Sequence, residues 1–352
     1  MKIKSLILIS LATLFFISCN NNNLIRLESI LIDVQTDGMS RSIRGLSVVN
    51  KNIAWISGTD GIVGITLDGG QNWEKHIVAG AEKLDFRDIE AIDDKTAWII
   101  SAGVPGRIYK TIDGGKNWTL QYEKNENVFF DSFVFSDKNN GIAVGDPENG
   151  EFFLLKTSDG GETWQEVDGQ YIPDAKNGEA LFAASGTCIT TIGNKFIWFI
   201  TGGTSPPRTF HSEDQGETWE AFATPITFGT SSKGIFSIAF LNNKDGVIVG
   251  GDYSNDKEKN QNAAITSDGG RTWNIVEELV PDGFRSCVCY IPETNGKGLI
   301  TTGTSGVDYS NDGGKTWKNI SKESYHVVDF GDSFDSGWLC GSNGRISKIV
   351  FK

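Results

Sequence analysis

The chain has few of the residues that carry metal or nucleophile chemistry. Its 352 residues include only three histidines, and neither His-Glu-x-x-His nor Cys-x-x-Cys occurs. Those spacings mark the common zinc sites, so the sequence predicts no metal site. The Gly-x-Ser-x-Gly sequence of an exposed nucleophile and the glycine-rich phosphate loops are also absent. We therefore expect no cofactor.

Methionine and positive charge are scarce as well. The chain has 2 methionines, and its 32 basic residues against 45 acidic residues give a net charge of −13. An acidic protein repels the phosphate backbone, so we expect no nucleic-acid partner. Glycine is abundant (42 residues) and aromatic residues make up 11%. This composition favours turn-dense β structure and predicts an all-β fold.

Cysteine is also rare, with five residues in the chain. Cys287 and Cys289 point to the same side of one predicted strand, which disfavours a disulfide between them. We interpret these two, together with Cys188 and Cys340, as small apolar residues buried in the core.

The one long apolar run lies at the start of the chain. Lys2 and Lys4 precede the run from Ser5 to Ile17, which is short for a membrane-spanning helix and typical of a signal peptide. The run ends at Ser18-Cys19, and Asn20 to Asn23 follow it. The segment predicts a targeting sequence over residues 1–19 and a polar tether over residues 20–26.

This ending resembles a bacterial lipoprotein signal, although Phe16 replaces the usual leucine. The resemblance implies cleavage before Cys19, lipid attachment to its sulfur, and an exported protein anchored on the periplasmic or outer-membrane side of the envelope. An ordinary secretory signal that contains a cysteine is the alternative. Removing Lys2 and Lys4 would bring the net charge to about −15.

An octet of the form Ser/Thr-x-Asp-x-Gly-x-Thr/Asn-Trp occurs six times and organises the rest of the chain. Its aspartates lie 45, 46, 55, 54 and 44 residues apart, and a period of this size is typical of solenoids and propellers. Gly and Asp suit a hairpin turn, in which Asp accepts backbone N–H groups two or three residues on, and Trp packs on the strands. The octet pairs are Asp68 and Trp73, Asp113 and Trp118, Asp159 and Trp164, Asp214 and Trp219, Asp268 and Trp273, and Asp312 and Trp317.

Two further strand patterns precede the octets, and each occurs seven times. The seventh unit ends with the strand Ile346 to Phe351 and has no octet, whereas the strand Leu27 to Val34 has no unit before it. Pairing these two strands removes the open edges. The sequence thus predicts one domain over residues 27–352, a seven-bladed β-propeller of four-stranded antiparallel blades closed by the N-terminal strand. Six blades is the alternative.

The octet resembles the Asp box, or BNR repeat, of sialidases, sortilin-type receptors and photosystem II stability/assembly factors. The lead-in from Trp55 to Ile62 makes the repeat most similar to the assembly-factor branch. The resemblance covers nearly the whole chain after the signal. It implies that the Asp boxes are structural and that the protein binds other proteins.

Sialidases are the enzymes of this superfamily, and the sequence departs from them. Their Arg-Ile-Pro motif is absent, since Gly106-Arg107-Ile108-Tyr109 lacks the proline. We therefore favour a binding protein over an enzyme. A glycoside hydrolase or a binder of an anionic sugar remains the alternative, and a carboxylate pair near the arginines would favour it.

Candidate ligand-binding residues fall at one mouth of the central channel, opposite the octet turns. Two insertions, Gln165 to Gly186 and Asp252 to Asn262, open on that same face. Arginines there could bind a carboxylate bidentately, although pairing with neighbouring acids is the alternative. The candidates opening the first strands are Arg44, Arg87, Asp131, Arg285 and His326. The candidates in the loops are Arg107, Asp146, Glu148, Arg208 and Asp252.

Overall fold

The structure, a computed structural model, describes residues 30–36, 40–125 and 128–351. The predicted signal, Cys19 and the predicted tether lie outside the described residues. Within this part of the chain the only helices are two 3₁₀ turns, at Gly169–Tyr171 and Phe334–Ser336, and neither could cross a membrane.

Seven antiparallel sheets form a ring, which confirms the predicted seven-bladed propeller and excludes six blades. The first strand of each sheet packs against the first strand of the next, all the way around a central channel. Blades 1 to 3 comprise Ile43–Val48, Ala54–Gly58, Ile62–Thr66 and Glu74–Ile77; Asp85–Ala91, Ala97–Ala102, Gly106–Thr111 and Thr119–Lys124; and Phe130–Phe135, Gly141–Glu148, Glu151–Thr157 and Gln165–Glu166.

Blades 4 to 6 follow the same order, and blade 5 carries two extra short strands, Glu179–Ala180 and Gly202–Gly203, beside its first strand. Blades 4 to 6 comprise Ile189–Ile192, Phe196–Ile200, Arg208–Ser212 and Glu220–Ala223; Lys233–Phe240, Gly246–Asp252, Ala263–Thr266 and Asn274–Ile275; and Cys287–Tyr290, Leu299–Gly303, Gly306–Ser310 and Lys318–Ser321.

Blade 7 is built from both ends of the chain. Its strands Val327–Asp329, Trp338–Cys340 and Arg345–Phe351 are completed by Ile30–Thr36. Ile30 pairs with Phe351 and Thr36 pairs with Arg345 across this closing ladder. The predicted closure by the N-terminal strand is therefore confirmed. The strand ends at Thr36, two residues beyond the predicted end, and residues 27–29 lie outside the described residues.

The octets are hairpin turns at the outer edge of one face. In each, an aspartate Oδ1 accepts the backbone N–H of the seventh residue at 2.9–3.0 Å. The hydroxyl of the first residue donates to the same oxygen at 2.8–3.0 Å and accepts the N–H of the fifth residue, which is glycine in all six octets, at 2.8–3.1 Å. The bonded backbone N–H thus lies four residues beyond the aspartate.

Tryptophans in the second strands join neighbouring blades. Trp98 donates its indole N–H to the Gly160 carbonyl of the next octet at 3.0 Å, and Trp198 does the same to Gly269 at 2.8 Å. The Trp338 ring meets Trp73 of blade 1 edge to face at 5.6 Å. Trp98 and Trp198 are buried, so each of these two contacts combines apolar burial with a satisfied donor.

In the described part of the chain the four cysteines form no disulfide, as predicted. Cys188, Cys287 and Cys340 are buried, and Cys289 is half-buried.

Candidate functional site

β-Bulges at the channel mouth orient the central residues of the site. In blades 1, 2, 3 and 5 the pairing of the first and second strands skips one residue, which belongs to no ladder pair. A bulge bends the strand locally and redirects the side chain of the extra residue. The skipped residues are Arg44, Arg87, Asp131 and Phe236, and all four line one cavity of about 450 Å³.

The two inserted segments form a further part of the cavity wall. Leu181, Phe182, Ala183 and Ala184 come from the first, and Tyr253 comes from the second. Both segments follow strand ends opposite the octet turns, because alternate connections in an antiparallel blade open on opposite faces. The predicted placement of both insertions on the octet-free face agrees with the structure.

The first inserted segment is anchored by a buried ion pair. Arg208 Nε donates to Glu179 Oε1 at 2.8 Å, and its Nη2 donates to Glu179 Oε2 at 2.5 Å and to the Asp174 carbonyl at 2.7 Å. A bidentate pair of this kind fixes geometry as well as charge. It holds Glu179–Ala180 next to Gly202–Gly203 and so positions the segment that follows.

Two arginines form the cationic side of the cavity. Arg44 Nη1 donates to the Ala184 carbonyl at 3.1 Å, and Arg87 Nη1 donates to the Ala183 carbonyl at 3.2 Å. Arg87 is also paired with Asp85 at 2.7 Å. Among the described residues Arg44 has no ion-pair partner, and burial and the charge of Arg87 lower its pKa. Arg44 is thus the guanidinium best placed to gain from a bound anion.

Two carboxyl groups and a histidine lie beside the arginines. Burial raises the pKa of Asp146, whose Oδ1 accepts the Leu181 N–H at 2.9 Å. Burial, followed by the nearby Asp146, raises the pKa of Asp131 well above its usual value. Burial and the charges of the two arginines lower the pKa of His326 to about 3, so this ring is neutral at physiological pH.

Aromatic rings form the opposite side of the cavity. Phe182 stacks on Phe236 with centroids 4.0 Å apart, and Phe236 meets Phe284 edge to face at 4.7 Å. Tyr253 stands against this group and remains 52% exposed. The site therefore offers a guanidinium and an apolar surface to the same ligand.

Five predicted site residues line the cavity: Arg44, Arg87, Asp131, Asp146 and His326. Of the remainder, Glu148 is exposed and outside the cavity lining. Arg107 is paired with Glu123 at 2.5 Å, away from the cavity. Arg208 serves as the anchor described above. Asp252 is buried and accepts the Ser254 N–H at 2.9 Å, while its neighbour Tyr253 reaches the cavity.

The predicted position of Arg285 at the channel mouth is wrong by one residue. Ser286 lines the cavity, whereas Arg285 is 0% exposed and its Nε donates to the buried Asp308 at 2.7 Å. A shift of one residue along a strand turns a side chain to the opposite face. The longer connection before the second strand of blade 6 hid this register in the sequence.

Sequence analysis missed the aromatic side of the cavity. All ten tryptophans belong to the repeats, and no phenylalanine is among the predicted ligand contacts. A signal was present, since Phe182 and Tyr253 lie in the two insertions and Phe236 takes the same place in its strand as Arg44 and Arg87.

A separate depression of about 400 Å³ lies between blades 3 and 4, beside the octet turns. Ile142 lines it, at the second-strand position that tryptophan occupies in blades 1, 2, 4 and 7. It contains none of the predicted ligand-binding residues. In the described part of the chain no group of three or more His, Cys, Asp or Glu side chains could hold a metal ion.

Family models and solved structures place the chain among the propellers. A model described as the DUF6242 beta propeller domain matches residues 45–291, and the BNR/Asp-box repeat matches residues 308–319. No characterised protein sequence matches the chain. The Asp-box identification made from the octet is therefore confirmed.

Three solved structures illustrate the similarity. YCF48 bound to a D1 peptide is 15% identical, with a TM-score of 0.66, and the match covers 91% of this chain and 95% of that one. YCF48 from Cyanidioschyzon merolae is 17% identical, with a TM-score of 0.67, and the match covers 90% of this chain and 98% of that one. The GH74 xyloglucanase from Xanthomonas campestris is 13% identical, with a TM-score of 0.62. The match covers 91% of this chain but only 53% of the enzyme. At these identities the likeness shows the fold alone.

Proposed function

Because the chain belongs to the DUF6242 beta-propeller family, we propose that it is a binding protein whose mouth cavity holds a peptide segment of a partner protein. The segment carries an acidic group next to an apolar side chain. The observation that carries this proposal is the guanidinium of Arg44, which has no ion-pair partner among the described residues and faces the same cavity as the rings of Phe182 and Tyr253. YCF48, a propeller of similar fold, binds a D1 peptide, and this supports our proposal that the present chain also binds a peptide and assists the assembly of its partner.

The charge placement supports an acidic ligand. In a chain of net charge −13 the two arginines concentrate positive potential at one mouth. Arg87 already has Asp85, whereas the Arg44 guanidinium retains N–H donors beyond the one on Ala184. A carboxylate bound there gains charge-assisted hydrogen bonds in a partly desolvated site.

The test uses pentapeptides, each prepared as free acid and as C-terminal amide. The central residue is Glu, Gln or Ser, and its neighbours are Phe, Leu or Ser. We expect the peptides that combine Glu with Phe or Leu to bind most tightly in fluorescence anisotropy. Preference for the free acid over the amide would show that a chain terminus supplies the carboxylate.

Arg44→Ala with Arg87→Ala should weaken binding about 30-fold, equivalent to about 2 kcal/mol. Arg41→Ala is the matched control, because Arg41 is paired with Asp60 and lies outside the cavity wall. Equal binding of acidic and neutral peptides, or an unchanged affinity in the double variant, would reject the proposed function.

A glycan-directed activity is the second candidate, and the closeness of Asp131 and Asp146 to the arginines favours it. Two carboxyl groups are what glycoside hydrolysis requires. Hydrolysis of a fluorogenic glycoside of an anionic sugar, lost in both Asp131→Asn and Asp146→Asn, would support an enzyme. An inactive wild-type protein that binds the peptides would favour the first proposal.

We further propose that the protein is exported and anchored to the bacterial envelope by a lipid on Cys19. The apolar run before Ser18-Cys19 supports this localisation. Cys19→Ser should move the protein from the membrane fraction to the soluble fraction. Retention of the variant on membranes after a high-salt wash would count against the lipid anchor.

A further inference from the structure

We propose that the Asp131 carboxyl group accepts a main-chain N–H of the bound peptide, and this inference rests on the proposed function. The cavity would then contact one stretch of peptide at three points. Arg44 holds the acidic group, the rings of Phe182 and Tyr253 hold the apolar side chain, and Asp131 orients the backbone between them.

Asp131 differs from the other buried carboxyl groups around the channel. It is 1% exposed, and within the described protein no group makes a hydrogen bond of ordinary geometry to either of its oxygens, although the backbone N–H groups of Ala183 and Asp146 lie near enough to favour its charged form. The nearby Asp146 N–H donates instead to the Phe129 carbonyl at 2.9 Å. By contrast, Asp88 accepts the Phe133 N–H at 2.9 Å and Asp329 accepts the Val48 N–H at 2.8 Å.

An unsatisfied buried carboxyl group is unfavourable for folding, so its presence in the cavity wall needs an explanation. The bulge in blade 3 turns Asp131 out of the strand ladder and into the cavity. A ligand donor that reaches this oxygen would relieve the loss of hydration. Buried polar groups of this kind are the usual source of ligand specificity.

A neutral N–H fits the surroundings better than a cation. Arg44 and Arg87 line the same cavity, and their charges repel an ammonium group. A peptide main chain supplies neutral donors at every residue except proline. The carbonyls of Ala183 and Ala184 already bind the two arginines, so main-chain groups fit this wall sterically and electrostatically.

The experiment is an amide-to-ester scan of the tightest pentapeptide from the binding screen. Each ester replaces one N–H with oxygen and is titrated against the wild type, Asp131→Ala and Asp131→Asn. At one position we expect the ester to weaken wild-type binding about tenfold, as for the loss of one buried hydrogen bond. Asp131→Ala should weaken the parent peptide by a similar factor and show no further loss with that ester.

Two variants serve as controls. Asp131→Asn keeps an acceptor oxygen and should recover most of the affinity. Asp329→Asn changes a buried carboxyl outside the cavity wall and should leave peptide binding unchanged. The melting temperature of each free variant checks folding, and Asp131→Asn should melt no lower than the wild type because no native hydrogen bond is removed.

The outcomes separate this inference from the function on which it rests. If acidic peptides bind and need Arg44, but every ester loses the same factor in wild type and Asp131→Ala, the Asp131 contact is refuted and the function stands. Wild-type affinity in Asp131→Ala would refute the contact in the same way. If no pentapeptide binds the wild type, both are rejected.

Discussion

At the octet turns, six aspartates lie near the surface with their oxygens fully hydrogen-bonded, whereas Asp88, Asp131 and Asp329 lie buried around the channel. At the turns, the side chains of Asn117 and Thr163, and then their backbone N–H groups, lower the pKa of Asp113 and Asp159 to about 2. Around the channel, burial raises the pKa of Asp88 and Asp329 to about 7. The same residue type thus stabilises the fold on one face and carries a cost on the other.

Substitutions on one face of the propeller should therefore leave the properties of the other face unchanged. Hydrogen bonds that favour the charged form make the turn aspartates part of the scaffold. Burial without full compensation makes the channel carboxyl groups costly, and Asp131 is the one without a hydrogen bond of ordinary geometry among the described residues. Costly groups of this kind concentrate at functional sites.

The largest expected effect concerns Arg285, which lies on the cavity side but belongs to the scaffold. Arg285→Ala leaves the 1% exposed Asp308 without its cation and should lower the free energy of unfolding by about 3–5 kcal/mol. Arg44→Ala removes no ion pair and should change the free energy of unfolding little. Urea unfolding of both variants measures the two changes in free energy. Equal losses of stability in Arg285→Ala and Arg44→Ala would contradict the distinction between scaffold and ligand-binding arginines.

The next effect concerns an octet aspartate. Asp312→Ala removes the acceptor for the Thr316 N–H and the Thr316 hydroxyl, so we expect a loss of about 2 kcal/mol. Peptide binding by the folded fraction should be unchanged, because the octet lies on the opposite face. A variant that folds normally and binds peptide weakly would contradict the separation of the two faces.

The smallest effect is a pH dependence of opposite sign on the two faces. With a folded pKa of about 2 against an ordinary 3.8, Asp113 and Asp159 contribute stability above about pH 4 that is lost as the pH falls towards 2. With a folded pKa of about 7, Asp88 and Asp329 bind protons in the folded state that the unfolded chain releases. Their contribution therefore declines as the pH rises from about 4 to 7.

Asp329→Asn should flatten the upper part of this profile between pH 4.5 and 8, because the amide binds no proton over this range. Urea unfolding over that range is the measurement, with Asp33→Asn on the exposed closing strand as control. An unchanged slope in Asp329→Asn would show that Asp329 titrates near its ordinary value.

The sequence predicted the blades well because the octet marks the same turn in every repeat. Trp55 and Trp98 lie at a constant distance from Arg44 and Arg87, so counting along the repeat found these two site residues. The count failed at Arg285, where the connection to the second strand is longer. The absence of an ordinary hydrogen bond at Asp131 depends on contacts between blades and an inserted segment, which spacing cannot reveal.

The bulges have a consequence for how this protein could acquire new ligands. A residue outside the ladder contributes no strand pairing, so Arg44, Arg87, Asp131 and Phe236 can be exchanged with little disturbance of the sheets that carry them. Mutations at these positions would change ligand preference with little loss of the folding stability that most substitutions reduce. Natural variation and directed evolution could therefore change the ligand by substituting these four residues, while the propeller scaffold stays the same.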